Sequence, residues 1–377
     1  MTARFFPGAA GLPLPVAQAA AAVGVTRLGD VTGLDVLGVP VWQAVRPWSR
    51  SISVHQGKAL TPAAARIGAA MEAVETGLAE AVRPDRCGVR WIDLPLALRP
   101  ARLDDFAEMR GAAPDDVALD WIGASDVAGG GDRLMPFAAV SLDFDLDPQP
   151  QIRCESNGHG AHLTLAAASL KGLLELIERD ALAEPPGTDP AAWRLTEHRV
   201  PRDRWPWFDA FRDLADAAGI TTCIYCRTGL ADIPVVSCEL RSRFAGCPVG
   251  AARGAAADAS VEAALRGAVT EAAQVRLTLI ANAREDIVMT GVSTGAAFAP
   301  PAFGFFQPPA LHPSNALPDD AEAALAELVA RLVATGFGAI LRISLSPPDF
   351  PVAVVRMAVP GLASGARARR LPEPRVP

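Results

Sequence analysis

The stretch 156–181, "SNGHGAHLTLAAASLKGLLELIERDA", runs from a turn into a helix. Ser156, Asn157 and Gly158 are turn chemistry, and such a turn exposes backbone N–H groups beside a hydroxyl and an amide. Leu170, Leu174, Ile177 and Ala181 then recur at helical spacing, so 162–184 reads as a helix with one buried stripe. Glu175 and Glu178 stand three apart beside that stripe, followed by Arg179. Two like charges on one helix face cost stability. What they are kept for is the question from which the rest of the chain is read.

Two other segments repeat the arrangement. In 61–82 Thr61 is a good N-cap, Pro62 suits the first helical position, and Ile67, Met71, Val74 and Leu78 form the stripe. That helix carries Glu72 and Glu75. In 258–283 the stripe is Val261, Leu265, Ala268, Ala272, Val275 and Leu279, with Glu271 and Gln274 three apart and Arg276 following. A fourth helix is expected near 319–335. Strands are expected within 24–45 (two or three), at 88–96, 137–144, 219–227, 233–240, 338–345 and 351–358. An acidic, glycine-rich surface region separates the pieces at 88–96 and 137–144. The fold class is therefore mixed α/β, with no clear linker and no evident internal repeat.

Composition narrows the function. The chain has 377 residues, 50% hydrophobic and 20% charged, which describes a globular protein able to bury a large core. Its net charge of −7 argues against a general nucleic-acid binder. Six scattered cysteines fit reduced thiols in the cytoplasm rather than a disulfide scaffold. "CIYC" at 223–226 reads as strand cysteines, because residues three apart on a strand face opposite sides. At the N-terminus Pro7, Pro13 and Pro15 interrupt any signal-peptide helix, and no apolar run is long enough to span a membrane. "AFAPPAFGFFQPPAL" (297–311) is apolar but proline-rich, hence a loop or lid. Of 35 basic residues only Lys58 and Lys171 are lysines. Arginine, alanine, glycine and proline are abundant, as in a GC-rich coding sequence, so a retained lysine is worth noting.

The carboxylate pairs admit two readings: solvated helix faces, or side chains gathered around cations. Oxygen-rich, histidine-poor clusters suit Mg2+, and Mg2+ suggests a nucleoside triphosphate. No P-loop, dinucleotide fingerprint, zinc-protease motif or nucleophile elbow is present. His159 and His162, three apart near a helix start, rank below capping residues as ligands.

"RPWSRSISVHQGK" (46–58), "AAMEAVE" (69–75), the 156–181 stretch and "LRGAVTEAAQVRLTLIANARED" (265–286) occur in the order seen in YcaO-domain proteins, which the chain resembles from about residue 20 to about residue 360. "TRLGDVTGLDVLGVPV", "TEAAQVRLT" and "VPGL" look most like the TfuA-associated branch. The resemblance implies the YcaO fold over 1–362, with mixed sheets and long helices around a nucleotide site, and an Arg/Pro-rich tail at 363–377. It implies an enzyme that uses ATP and Mg2+ to phosphorylate a peptide backbone amide. Thioamide formation with a TfuA-like partner is the first expectation, and azoline formation with an E1-like partner or a non-catalytic nucleotide-binding scaffold are the alternatives. By resemblance Glu72, Glu75, Glu175 and Glu178 fall to the metal cluster. Lys58, Ser156, Asn157, Arg179, Gln274, Arg276 and, less directly, Arg266 fall to nucleotide contact. Gly68 and Thr76 depart from the family's first motif, "GKA" from "GKG", and "SNGHGAH" from "SNGLAAG". With no peptide-recognition domain fused at either end, a partner or a homodimer is expected to capture the peptide.

Overall fold

A computed structural model describes residues 6–99, 103–106, 108–109, 116–146, 152–183, 196–244, 249–282 and 308–362. Three antiparallel sheets each present a terminal strand that runs straight into a long helix. The first sheet is β1 (Arg27–Asp30), β2 (Val41–Val45) and β3 (Val54–Lys58), followed by α2 (Pro62–Ala81). The second has the order β4 (Arg86–Arg90), β5 (Ala118–Asp126), β12 (Leu341–Ser344), β13 (Ala353–Ala358) and β7 (His159–His162), with β6 (Asp132–Pro136) also on β5. Helix α3 (Leu165–Leu182) leaves its terminal strand β7. The third sheet, β11 (Ala251–Ala257), β10 (Pro234–Ser242), β9 (Ile220–Thr228) and β8 (Glu197–His198), hands on to α5 (Val261–Ala281). Helices α1 (Leu14–Ala22), α4 (Pro206–Ala217) and α6 (Ala321–Ala334) pack on α2, β9 and α3 respectively.

The three long helices start alike. Thr61, Thr164 and Ser260 are extended, and each side-chain oxygen accepts a hydrogen bond from the backbone N–H three residues on. Such a cap is worth about 1 kcal/mol. Counted from the cap, the spacing is shared: Glu72, Glu175 and Glu271 stand at the eleventh residue, and Glu75, Glu178 and Gln274 at the fourteenth. The three units are thus a structural repeat of strand, cap and helix, which the sequence reading did not expect.

Close strand-to-helix contact sets the depth of each unit. A Cβ on Gly57 would lie 2.0 Å from Ala69 N and 2.1 Å from Ala65 O. A Cβ on Gly160 would lie 2.1 Å from Ala168 O, and one on Gly254 2.3 Å from Ala272 N. Each strand glycine therefore lets helix backbone rest directly on the sheet.

Two strand expectations shift. Residues 88–96 leave the sheet after Arg90 and turn twice through short 3-10 segments. Residues 137–139 are a 3-10 turn, and the strand lies before them, at β6. The region read as surface holds β5, which pairs with β4, β6 and β12. Its hairpin turns at Gly130 and Gly131, both with positive φ, while Asp126 accepts from Ala128 N and Gly129 N at 3.1 Å. Charged residues on one face of β5 and the glycines of the turn concealed a central strand. The "CIYC" segment lies in β9 as expected, and Cys87, Cys154, Cys223, Cys226 and Cys238 are free thiols. Most of the 297–311 segment and the 363–377 tail lie outside the described residues. No helix among the described residues is long and apolar enough to cross a membrane.

Gly57→Ala is expected to destabilise the fold by at least about 2 kcal/mol, since backbone rather than a movable side chain must yield. Gly33→Ala, with nothing within 4 Å of its Cβ, serves as control. Urea unfolding of the two variants checks this.

Candidate functional site

The helix faces that carry the glutamates converge on one cavity of about 860 Å3, lined from β3, α2, α3, β11 and α5. Glu72, Glu75, Glu175, Glu178 and Glu271 all line it, together with Lys58, Lys171 and Arg179. The alternative of separate solvated faces is not what the chain builds.

Each unit docks one carboxylate oxygen on backbone. Glu72 Oε2 accepts from Gln56 N of the terminal strand β3 at 3.0 Å. Glu175 Oε2 accepts from Gly158 N, in the turn before β7, at 3.1 Å. Glu271 Oε2 accepts from Ala255 N of the terminal strand β11 at 3.4 Å. Terminal strands have N–H groups turned away from their sheet, and these supply donors that hold the carboxyl groups in place.

Internal cations answer part of the charge. Lys171 Nζ lies 3.0 Å from Glu75, Lys58 Nζ 4.0 Å from Glu271, and Arg179 3.6 Å from Glu175 and 3.5 Å from Glu178. Desolvation disfavours the half-exposed Lys171 ammonium, but Glu75 and then Glu175 and Glu72 outweigh it, so its pKa is raised. Burial, more than any neighbour, raises Glu175. It pushes Glu178 up to about 8, with Glu271 and Glu175 adding to the rise and Arg179 opposing it. One oxygen of Glu178 is buried without a hydrogen-bond donor.

Six acidic groups, the sixth being Asp258, face three cationic ones across this cavity. A carboxylate held that far above its usual range, with an orphaned oxygen, is short of positive charge. Divalent cations fit that deficit. Among the described residues no three His, Cys, Asp or Glu side chains form a group able to hold a metal ion. An ion here would take one or two carboxylates and complete its shell with water and phosphate oxygens, which is the habit of Mg2+.

The turn before β7 is built from below. Gly158 has φ +80°, and a Cβ there would stand 2.5 Å from Met357 O and 2.6 Å from Arg356 Nη1. Arg356 is fully buried and paired with Glu108. His159, pushed down to about 4 by burial and then by Arg356, is neutral at ordinary pH. Its Nδ1–H donates to Ser156 O at 2.7 Å. Ser156 reaches the cavity, whereas the Asn157 amide donates to Glu155 at 2.8 Å beside it.

The remaining sequence candidates divide in the same way. Gln274 lines the cavity, its Nε2 lying 3.4 Å from Gln56 Oε1, which accepts from Thr278 Oγ1 at 2.5 Å. Arg276 instead pairs with Asp35 at 3.1 Å and ties α5 to the N-terminal sheet. Arg266 pairs with Glu262 and lies 5.9 Å over the Trp207 ring. Glu271 and Lys171 are site residues that the sequence reading noted without assigning. Glu271 shares the helical spacing of the other glutamates, and Lys171 is the second of two lysines.

The folded chain keeps a proton on Glu178 to higher pH than the unfolded chain, whose ordinary carboxylate value is 4.5. Stability therefore falls as pH rises from about 5 to about 8, where the unfolded state binds fewer protons. In metal-free buffer the melting temperature should drop by several degrees over that window, and Glu178→Gln should flatten the slope. Calorimetry on both proteins checks this.

Comparisons with known proteins give the chain's family and fold. The family described as "YcaO cyclodehydratase, ATP-ad Mg2+-binding" matches residues 56–363. The "Uncharacterized protein in tfuA 3'region" of Rhizobium leguminosarum bv. trifolii is 33% identical over 361 residues, 90% of this chain and 84% of that protein. A YcaO protein from Methanopyrus kandleri, solved with AMPPCP and Mg2+, shares the fold at a TM-score of 0.67 and 21% identity, covering 94% of this chain and 92% of that one. A heterocyclase solved with substrate and cofactor superposes at a TM-score of 0.74 and 19% identity over 92% of this chain. The match spans only 52% of that heterocyclase, about half its length. A mixed α/β fold, a carboxylate-lined cavity short of positive charge and a family match over most of the sequence lead to one conclusion: the chain belongs to the YcaO family, whose members bind ATP and Mg2+.

Proposed function

We propose that this chain is an enzyme that activates a backbone amide of a peptide for replacement of its oxygen, with thioamide formation beside a TfuA-like partner as the specific reaction. The observation that carries the reading is the convergence of carboxylates from three cap-aligned helices, with two lysines and one arginine, on a single cavity. ATP with Mg2+, once bound, supplies the phosphoryl group that turns the amide oxygen into a phosphate leaving group.

The chain's own part is positioning and charge. Glu72, Glu75, Glu175 and Glu178 would together supply the negative charge that draws the cations in, with Glu271 as a further carboxylate at the equivalent place on α5. Ser156 and Lys58 line the cavity; Ser156 would contact a bound nucleotide, and Lys58 would offer a point charge to phosphate oxygen. Phosphoryl transfer is driven mainly by such placement and neutralisation. The location of the Rhizobium relative beside tfuA supports a TfuA-like partner and sulfide as the incoming nucleophile. The free thiols among the described residues fit a reducing, cytoplasmic setting.

Azoline formation is the second reading, favoured by the family's description as cyclodehydratase. There a Cys, Ser or Thr side chain of the peptide takes the place of sulfide, and the product loses water instead of exchanging oxygen for sulfur.

Glu178→Gln is expected to lower peptide-stimulated phosphate release by at least about a hundredfold while the chain stays folded. Mass spectrometry of the peptide, with the partner and sulfide present, separates oxygen-to-sulfur exchange from loss of water. Wild-type turnover in Glu178→Gln would sink the enzymatic reading.

A further inference from the structure

Lys171 departs from the pattern that the three helical units otherwise share. Seven residues after the cap, α2 carries Gly68 and α5 carries Gly267, while α3 carries Lys171. All three positions line the cavity. Two units thus present bare backbone at a place where the third extends an ammonium. Lys171, Glu175 and Glu178 follow one another along a single face of α3, at spacings of four and three.

The partner of this ammonium lies on another helix. Its Nζ stands 3.0 Å from Glu75 Oε2 of α2, and the lysine side chain is still 53% exposed. The chain contains two lysines, and both line this one cavity. Neither fact follows from a need for surface charge, which arginine meets everywhere else in the sequence.

We propose that Lys171 is a tethered counter-ion: its ammonium occupies Glu75 in the place of a divalent cation, so the cavity resists divalent loading before nucleotide arrives and takes one fewer ion with it. The proposal rests on the reading of the cavity as a metal–nucleotide site and specifies how that site is charged. A lysine suits the task because a flexible stem and a compact charge let it leave a carboxylate as easily as it meets one. An arginine fork would hold the carboxylate through two bonds. Because the cation is part of the chain, its local concentration never falls, and a metal ion must displace it to reach Glu75.

The test uses Mn2+ as a paramagnetic probe, counted by electron paramagnetic resonance on the full chain with and without AMPPCP. Lys171→Met keeps the stem and removes the charge; its position on a half-exposed helix face favours an intact fold, which circular dichroism monitors. Without nucleotide, Lys171→Met should bind Mn2+ about tenfold more tightly than wild type, the scale expected for removing one cation beside a partly solvated carboxylate. With AMPPCP it should hold one more Mn2+ per chain. Lys171→Arg, which keeps the charge in a fork that grips the carboxylate, should bind Mn2+ more weakly than wild type and gain no ion with AMPPCP. In a Glu75→Gln background, Lys171→Met should no longer change Mn2+ affinity.

Unchanged Mn2+ affinity and count in Lys171→Met would overturn the counter-ion while leaving the nucleotide site standing. So would a loss of AMPPCP affinity with no gain in Mn2+, which would make Lys171 a phosphate contact. A wild-type chain that binds neither AMPPCP nor Mn2+ would overturn the underlying functional reading as well.

Discussion

Everything at this site depends on carboxylates accepting hydrogen bonds from strand and turn N–H groups that no neighbouring strand uses. Glu72, Glu175 and Glu271 would repel one another and their helix partners if left to bulk electrostatics. A backbone donor fixes one oxygen of each, at 3.0, 3.1 and 3.4 Å, and aims the rest of the group inward. The donor exists only because the strand or turn lies at the end of its sheet. The glutamate meets it only because cap and strand glycine set the helix's rotation and depth. Sheet order, cap and carboxylate are therefore one device used three times.

Behind that device stand groups that brace the cavity walls. The buried pair of Arg356 and Glu108, joined by His159, supports the turn whose Gly158 N–H orients Glu175. Arg276 with Asp35, and Thr278 with Gln56, bind α5 to the N-terminal sheet across more than 200 residues of sequence. A buried ion pair is weak evidence of stability in itself, yet removing one partner leaves an uncompensated charge. These pairs hold the cavity walls in register, and the pairing with Asp35 explains why Arg276, close in sequence to Glu271, points elsewhere.

Much of this was legible in the sequence, and the remainder was hidden for physical reasons. The long helices showed themselves through Thr61 and Pro62, through the apolar stripes and through the Glu pairs, all local features. Strand β11 did not, because "AARGAAA" has almost no intrinsic strand preference. It is extended because α5 rests on Gly254 and because β10 pairs along its length. Strands β3 and β7 were hidden likewise, each being short and containing a glycine chosen for helix contact. The shared spacing from cap to carboxylate was present in the sequence throughout. It becomes visible as a repeat only when Thr61, Thr164 and Ser260 are known to be caps. Residue types thus disclosed the chemistry of the site, whereas the assignment of Arg266, Arg276 and Asn157 needed the partners that only folding supplies.

The two lysines bring composition and geometry together. A sequence that meets nearly every need for positive charge with arginine keeps an ammonium at two places, one beside Glu271 and one beside Glu75. An arginine at either place would satisfy its carboxylate with two parallel bonds and compete strongly with anything else that sought those oxygens. The metal–nucleotide site proposed for this cavity is served better by partners that let go. Arg179 is the instructive contrast. It spreads over Glu175 and Glu178 at 3.6 and 3.5 Å, too long for either pair to close fully, and leaves one oxygen of Glu178 without a donor. Arg179, with the tightest bonding repertoire, is held off its partners, while Lys171 is allowed close to Glu75. Both arrangements keep carboxylate oxygens available, which is the condition the proposed metal–nucleotide site would have to meet before its ligand arrives.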